Sequence, residues 1–243
     1  INAFKESDRI FGELSTEGNK ELTDRMPEVY NESITRANGR ILSDNLPEED
    51  VLFIKQLFGE DLFNYCNCFE PWFLTTILDT AVYTLNGFST EYGIDPYFNR
   101  LASSIEKNVE GLDTVDCQIE ALSFGTYDQQ LLSLSAAIKN LSNLEQAKQD
   151  ALEFYQAYLD GNVDKLISIS FEEQDESVSD AEKEYNNLYT QKLILDRNEK
   201  WAHTFEDLLE EGGTTFVFAG TIHFIGDESV FKYMEKNGTL EIK

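Results

Sequence analysis

The hydrophobic positions fall at strand spacing near the two ends of the chain and at helical spacing between them. Thr214–Ala219, TTFVFA, is a β-branched and aromatic run that predicts a buried strand. Arg9–Leu14, RIFGEL, predicts a second strand, and Asn108–Leu112 a third. Ile1–Ser7 reads as the last turns of a helix, and the pattern from Asn19 to Asp61 is helical, with Leu22, Met26, Val29 and Tyr30 on one face. Pro47 and the acidic run after it start a helix carrying Val51, Ile54, Leu57 and Phe58, and Glu70-Pro71-Trp72 starts another that ends at Asn86-Gly87. A loop at Thr90–Phe98 leads into a helix through Ala102 and Ile105.

Further helices are predicted from Thr114 to Leu122, Gln129 to Leu141, Leu144 to Leu159 and Val163 to Ile169, with Asp160-Gly161-Asn162 as a turn. Glu172–Asp180 is acidic and polar and predicts a mobile connection. One long helix from about Ala181 to Glu211 follows, stopped by Gly212-Gly213, and Asp227 is the expected N-cap of a last helix reaching Asn237. The predicted class is α/β, α+β-like: a small central mixed sheet drawn from both ends of the chain, covered by many helices, with a helical middle. The chain is expected to form a single domain over residues 1–243, with a helical insertion at about 125–180.

Charge narrows the partners. Against 19 basic residues stand 46 acidic ones, a formal net charge of −27, so the surface is anionic and disfavours nucleic acid and anionic membrane. No apolar run reaches the roughly 18 residues a membrane-spanning helix needs. Cys66, Cys68 and Cys117 support neither a disulfide framework nor a zinc knuckle and are expected to behave as small buried apolar residues. The chain opens on Ile1 in a helical pattern, which predicts that a signal peptide, an anchor or part of the fold has been removed upstream.

Candidate chemistry gathers in Gly220-Thr-Ile-His223-Phe-Ile-Gly226, between a strand and a helix. Ligands of sheet proteins bind at the carboxyl ends of strands, and a neutral imidazole serves equally as base or metal ligand. Glu13 ends the first strand and gains interest if that strand lies beside the one leading to His223. Arg197 is expected to pair with a carboxylate, and His203, further along the same helix, is expected to be structural.

In order and spacing these pieces resemble the TraB/GumN family. The match is carried by Arg197-Asn198, by Phe216–His223 as a G-x-x-H motif, by Gly226 and by the helix ending Asn237-Gly238. Glu70-Pro71-Trp72, the Gly93–Phe98 loop, Gly111–Thr114 with Gln118, and the Phe11–Leu14 strand bearing Glu13 complete it. Two departures stand out. The family's first G-x-x-H motif would precede Ile1, and Asp113 stands where many relatives have glutamate.

The resemblance implies a site of His223, Glu13 and a second histidine around a divalent Zn, Mn or Co ion, with Arg197 nearby and Gly220, Asn198 and Gln118 in support. The chemistry it implies is hydrolysis of an amide or ester by an activated water, with Glu13 as ligand or base and Arg197 facing the oxyanion. A metal-free hydrolase using histidine directly is a variant of that expectation. The alternative is a binding protein that sequesters a peptide or small molecule. Family habit also implies an extracytoplasmic or lipid-anchored bacterial protein.

Overall fold

The computed structural model describes residues 1–171 and 178–239. Its centre is a three-stranded sheet of β1 (Arg9–Gly12), β2 (Glu110–Gly111) and β3 (Thr215–Val217) in the order β2-β1-β3. Both pairings are parallel, with Phe11 opposite Glu110 and Val217 and with Arg9 opposite Thr215. The expected small sheet under many helices is present, and its three strands all run the same way.

Successive residues of a strand point to opposite faces, and β1 sorts its side chains accordingly. Ile10 packs with Phe4, Ala102, Val109 and Phe218 on one face, while Phe11 packs with Leu112, Trp201, Phe205, Val230 and Met234 on the other. A larger core, formed mainly by helices, lies in the middle of the chain. There Leu74 and Leu78 of the helix Pro71–Leu85 meet Leu134 and Ile138 of Tyr127–Ser142, and Ala147 and Ala151 of Leu144–Leu159.

Three local expectations change. The predicted helix at 181–211 begins as Asp180–Thr190, N-capped by Ser179 in a capping box with Glu182, and is interrupted by a π-helical stretch at Gln191–Leu195 before continuing as Asp196–Glu211. The last helix, Val230–Lys236, is capped by Ser229, whose hydroxyl accepts from the Lys232 amide, and not by Asp227. Of the cysteines, which are all free, Cys66 alone is buried; Cys68 and Cys117 are half-buried. The polar connection expected at Glu172–Asp180 lies outside the described residues over 172–177. Among the described residues no helix is long and apolar enough to cross a membrane.

Candidate active site

Because the strands are parallel, the residues that follow them emerge at one edge. Glu13 comes directly after β1, Asp113 shortly after β2, and the turn bearing Gly220 and His223 shortly after β3. Backbone bonds carry the pairing beyond the strands and fix this edge: the Leu112 amide donates to Gly12 O (2.9 Å), Asp113 to Glu13 O (2.9 Å) and Phe218 to Phe11 O (3.0 Å). Close approach is possible because Gly12 lacks a Cβ, which would lie 2.8 Å from the Phe218 ring.

Arg197 ties the ends of β1 and β2 together from the helix above. Its Nη2 donates to Glu13 Oε2 at 2.5 Å, its Nε to Asp113 Oδ2 at 2.8 Å and its Nη1 to the Leu193 carbonyl at 2.9 Å. Leu193 belongs to the π-helical stretch Gln191–Leu195. The other oxygen of Asp113 accepts from Trp201 Nε1 at 3.0 Å, and the Asp113 side chain is completely buried. Trp201 lies one turn beyond Arg197, and the guanidinium sits over its ring at 4.9 Å.

His223 is held by a second chain of bonds. It sits in a 3₁₀ turn, Thr221–His223, is 3 % exposed, and stacks against the Trp201 ring with centroids 4.4 Å apart. Asn198 Nδ2 donates to the Glu228 carbonyl at 2.7 Å, which leaves Asn198 Oδ1 facing His223 Nδ1 at 2.5 Å. A carbonyl oxygen only accepts, so Nδ1 must carry the imidazole proton, and the Nε2 lone pair is the one left for chemistry.

Glu13 and His223 face a common space at Gly220. The Gly220 amide donates to Glu13 Oε1 at 3.0 Å, and a Cβ on Gly220 would touch both Glu13 Oε1 (3.5 Å) and His223 Cδ2 (3.6 Å). Glu13 keeps about a quarter of its side chain exposed, and Gly220 is open to solvent. Gln118, from the helix Val115–Leu122, reaches the same carboxylate more loosely, at 3.5 Å.

The protonation states follow from these neighbours. Burial pushes the Glu13 carboxyl up, but Arg197 and the Gly220 amide outweigh it and hold the group below its usual range. Burial first, and then the Arg197 charge, push the His223 imidazole down to about 4, against the opposite pull of Glu13 and Asp113. Near neutral pH the site therefore presents a neutral imidazole, an ionised carboxylate and a guanidinium.

The sequence-predicted residues His223, Glu13, Arg197, Asn198, Gly220 and Gln118 thus form one connected cluster. His203 stays outside it, exposed on its helix and paired with Glu206 at 3.1 Å. Sequence reasoning placed neither Asp113 nor Trp201 at the site, although Trp201 follows Arg197 at helical i+4 spacing and Asp113 follows the short strand beside Glu13. For the implied metal, His223 Nε2 and the spare lone pairs of Glu13 are two donors. Among the described residues no group of three histidine, cysteine, aspartate or glutamate side chains is arranged to hold an ion. The donor set is incomplete for a tetrahedral protein site.

Sheet and cluster together define a class: an α/β protein in which histidine, glutamate and arginine meet at the carboxyl edge of a short parallel sheet under a helical cover. The TraB/PrgY/gumN family matches residues 1–240, and the chain belongs to that family. It is also 25% identical over 242 residues to an uncharacterized protein of Treponema pallidum (strain Nichols), covering 99% of this chain and 72% of that protein. No solved structure matches it.

Proposed function

We propose that the sheet edge is a hydrolytic site that cleaves an amide or ester bond in a peptide-like substrate. The observation that carries this reading is the His223 ring, neutral, fixed in its Nδ1–H form by Asn198 and placed beside Glu13 at the exposed Gly220. Nε2 takes a proton from water as the water oxygen bonds to the substrate carbonyl carbon. The same proton passes to the leaving amine or alcohol as its bond to that carbon breaks. Glu13 stabilises the imidazolium that forms in between. Most of the Arg197 donors are already committed, so its contribution is the fixed positive charge that keeps Glu13 ionised and in place, with a hydrogen on Nη1 to spare for a developing oxyanion. A divalent cation would take His223 and Glu13 from this chain and would supply Lewis-acid activation of water.

The test is cleavage of a mixture of unstructured peptides and simple esters, read by mass spectrometry. It compares the wild type with His223→Ala and Glu13→Gln, before and after chelation and restoration of Zn, Mn or Co. Turnover that falls by about 10²–10⁴-fold in His223→Ala supports the reading. Turnover indifferent to His223, or none at all in the wild type, overturns it. Sensitivity to chelation assigns the metal-assisted form. The commitment of Arg197 to Asp113 and Leu193 also favours a second reading, capture of a peptide without cleavage. Binding with no turnover under every metal condition would select it.

A further inference from the structure

Beside the candidate site runs a groove of about 610 Å³ that the chemistry above does not use. One wall is a single face of the helix Pro71–Leu85, where Thr76, Asp79 and Tyr83 follow one another at helical spacing. The loop before the helix Ile94–Ser104, the helix Leu144–Leu159 and Tyr189 supply the others. Tyr83, Phe88, Tyr92, Tyr155, Tyr158 and Tyr189 all line it. The Phe88 and Tyr155 rings meet edge to face at 4.9 Å, and Tyr92 and Tyr158 remain exposed. Aromatic faces carry partial negative charge, and so many around one opening favour a cation.

Asp79 lines this groove as a solvent-exposed side chain, with no hydrogen-bond donor and no cation beside it among the described residues. It keeps an open route to solvent along the groove, while the protein around it displaces much of its hydration and burial pushes its carboxyl up to about 6. Near neutral pH it remains an unpaired carboxylate. The groove also leads to the sheet edge. Gly93 and Ile94 line it, and Asp95, the next residue, is near enough to Glu13 for the two negative charges to interact. Leu122 lines it too, one turn beyond Gln118, which donates to Glu13.

We propose that this groove receives a lysine or arginine side chain of a peptide whose neighbouring residues lie at Glu13 and His223. The side-chain stem packs between the tyrosine rings, its charged head pairs with Asp79, and the anionic surface of the molecule favours the approach of such a peptide. The placement of the scissile bond relative to the groove rests on the hydrolase reading; the preference for a cation does not.

The experiment measures equilibrium binding of two blocked hexapeptides, identical except for one central arginine or glutamine, to the His223→Ala protein, so that cleavage cannot intrude. The arginine peptide is expected to bind about tenfold more tightly or better. That preference should vanish in His223→Ala/Asp79→Asn and weaken in His223→Ala/Tyr155→Ala. Equal affinity for the two peptides, or a preference that survives Asp79→Asn, overturns the proposal. A preference without any turnover by the wild type removes the hydrolase reading and leaves this one; turnover without the preference does the reverse. Asp79→Asn is expected to remain folded. The folded carboxyl, at about 6 against an ordinary 3.8, takes up a proton on folding between those values, so the aspartate costs stability as pH rises through that window. The asparagine variant should melt higher than its parent at pH 7 and level with it below pH 3.8.

Discussion

Asn198 decides which nitrogen of His223 is basic, and it can do so only because the Glu228 carbonyl has already decided which way the amide points. Nitrogen NMR of the wild type should show the Nδ1–H tautomer, neutral down to about pH 4. In Asn198→Ala the two tautomers should mix, with turnover down on the order of 10- to 100-fold, the usual loss when an imidazole loses the group that orients it. A single tautomer persisting in the variant would show that something else orients the ring. Linkage gives the same histidine a stability signature. Its folded value of about 4 lies below the ordinary 6.5, so the unfolded chain binds the extra proton between them and stability declines as pH falls through that window. His223→Gln should lack that portion of the decline. Arg197 faces a harsher test, since removing it leaves the fully buried Asp113 with its charge uncompensated except by Lys200 at 3.8 Å. Arg197→Met should cost on the order of 3–5 kcal/mol in chemical denaturation, and a near-neutral effect would mean that the buried pair with Asp113 contributes little to the fold.

At the scale of elements, two glycines in comparable places on the sheet edge do different work. A Cβ on Gly111 would lie 2.8 Å from both the Asp113 carbonyl and the Ser15 amide, backbone atoms that cannot move aside, whereas on Gly220 it would make only ordinary contacts. Gly111→Ala should therefore destabilise by on the order of 1–3 kcal/mol in denaturant unfolding. Gly220→Ala should melt close to wild type yet lose substrate binding, because its methyl fills the space that Glu13 and His223 share. If both variants unfolded alike, Gly220 would be a packing glycine and the space in front of it would not be the site. The π-helical stretch at Gln191–Leu195 belongs to the same scale, since it supplies the Leu193 carbonyl that Nη1 of Arg197 bonds.

At the scale of the whole molecule, a net charge of −27 on 243 residues makes self-repulsion a standing cost of compaction. Raising salt from low millimolar to a few tenths molar should lift the melting temperature by a few degrees as the Debye length shrinks to about 10 Å and below. A flat or falling response would mean that the surface ion pairs, such as Arg25 with Asp116 and Arg40 with Asp128, outweigh the repulsion. The fold class was legible in the sequence because a hydrophobic period is a local property. The runs at Arg9–Leu14 and Thr214–Ala219 announce strands whatever they pair with, and the wide apolar face of Pro71–Leu85 announces a buried helix. His223, Glu13, Arg197 and Asn198 were legible because their residue types are rare or marked by neighbouring glycines and by a family's spacing.

Tertiary structure alone decided the rest. That β1 lies between the other two strands, bringing Glu13, Asp113 and His223 to one edge, depends on pairings across roughly the whole chain, which no local pattern encodes. That Ser229 and not Asp227 caps the last helix depended on where the turn after His223 released the chain. Nothing in the sequence marked Asp79. Its place beside Tyr83 and Tyr189 without a cation arose when elements distant in sequence came together, because whether a charge finds a partner is settled by the surroundings that folding assembles and not by the residue itself.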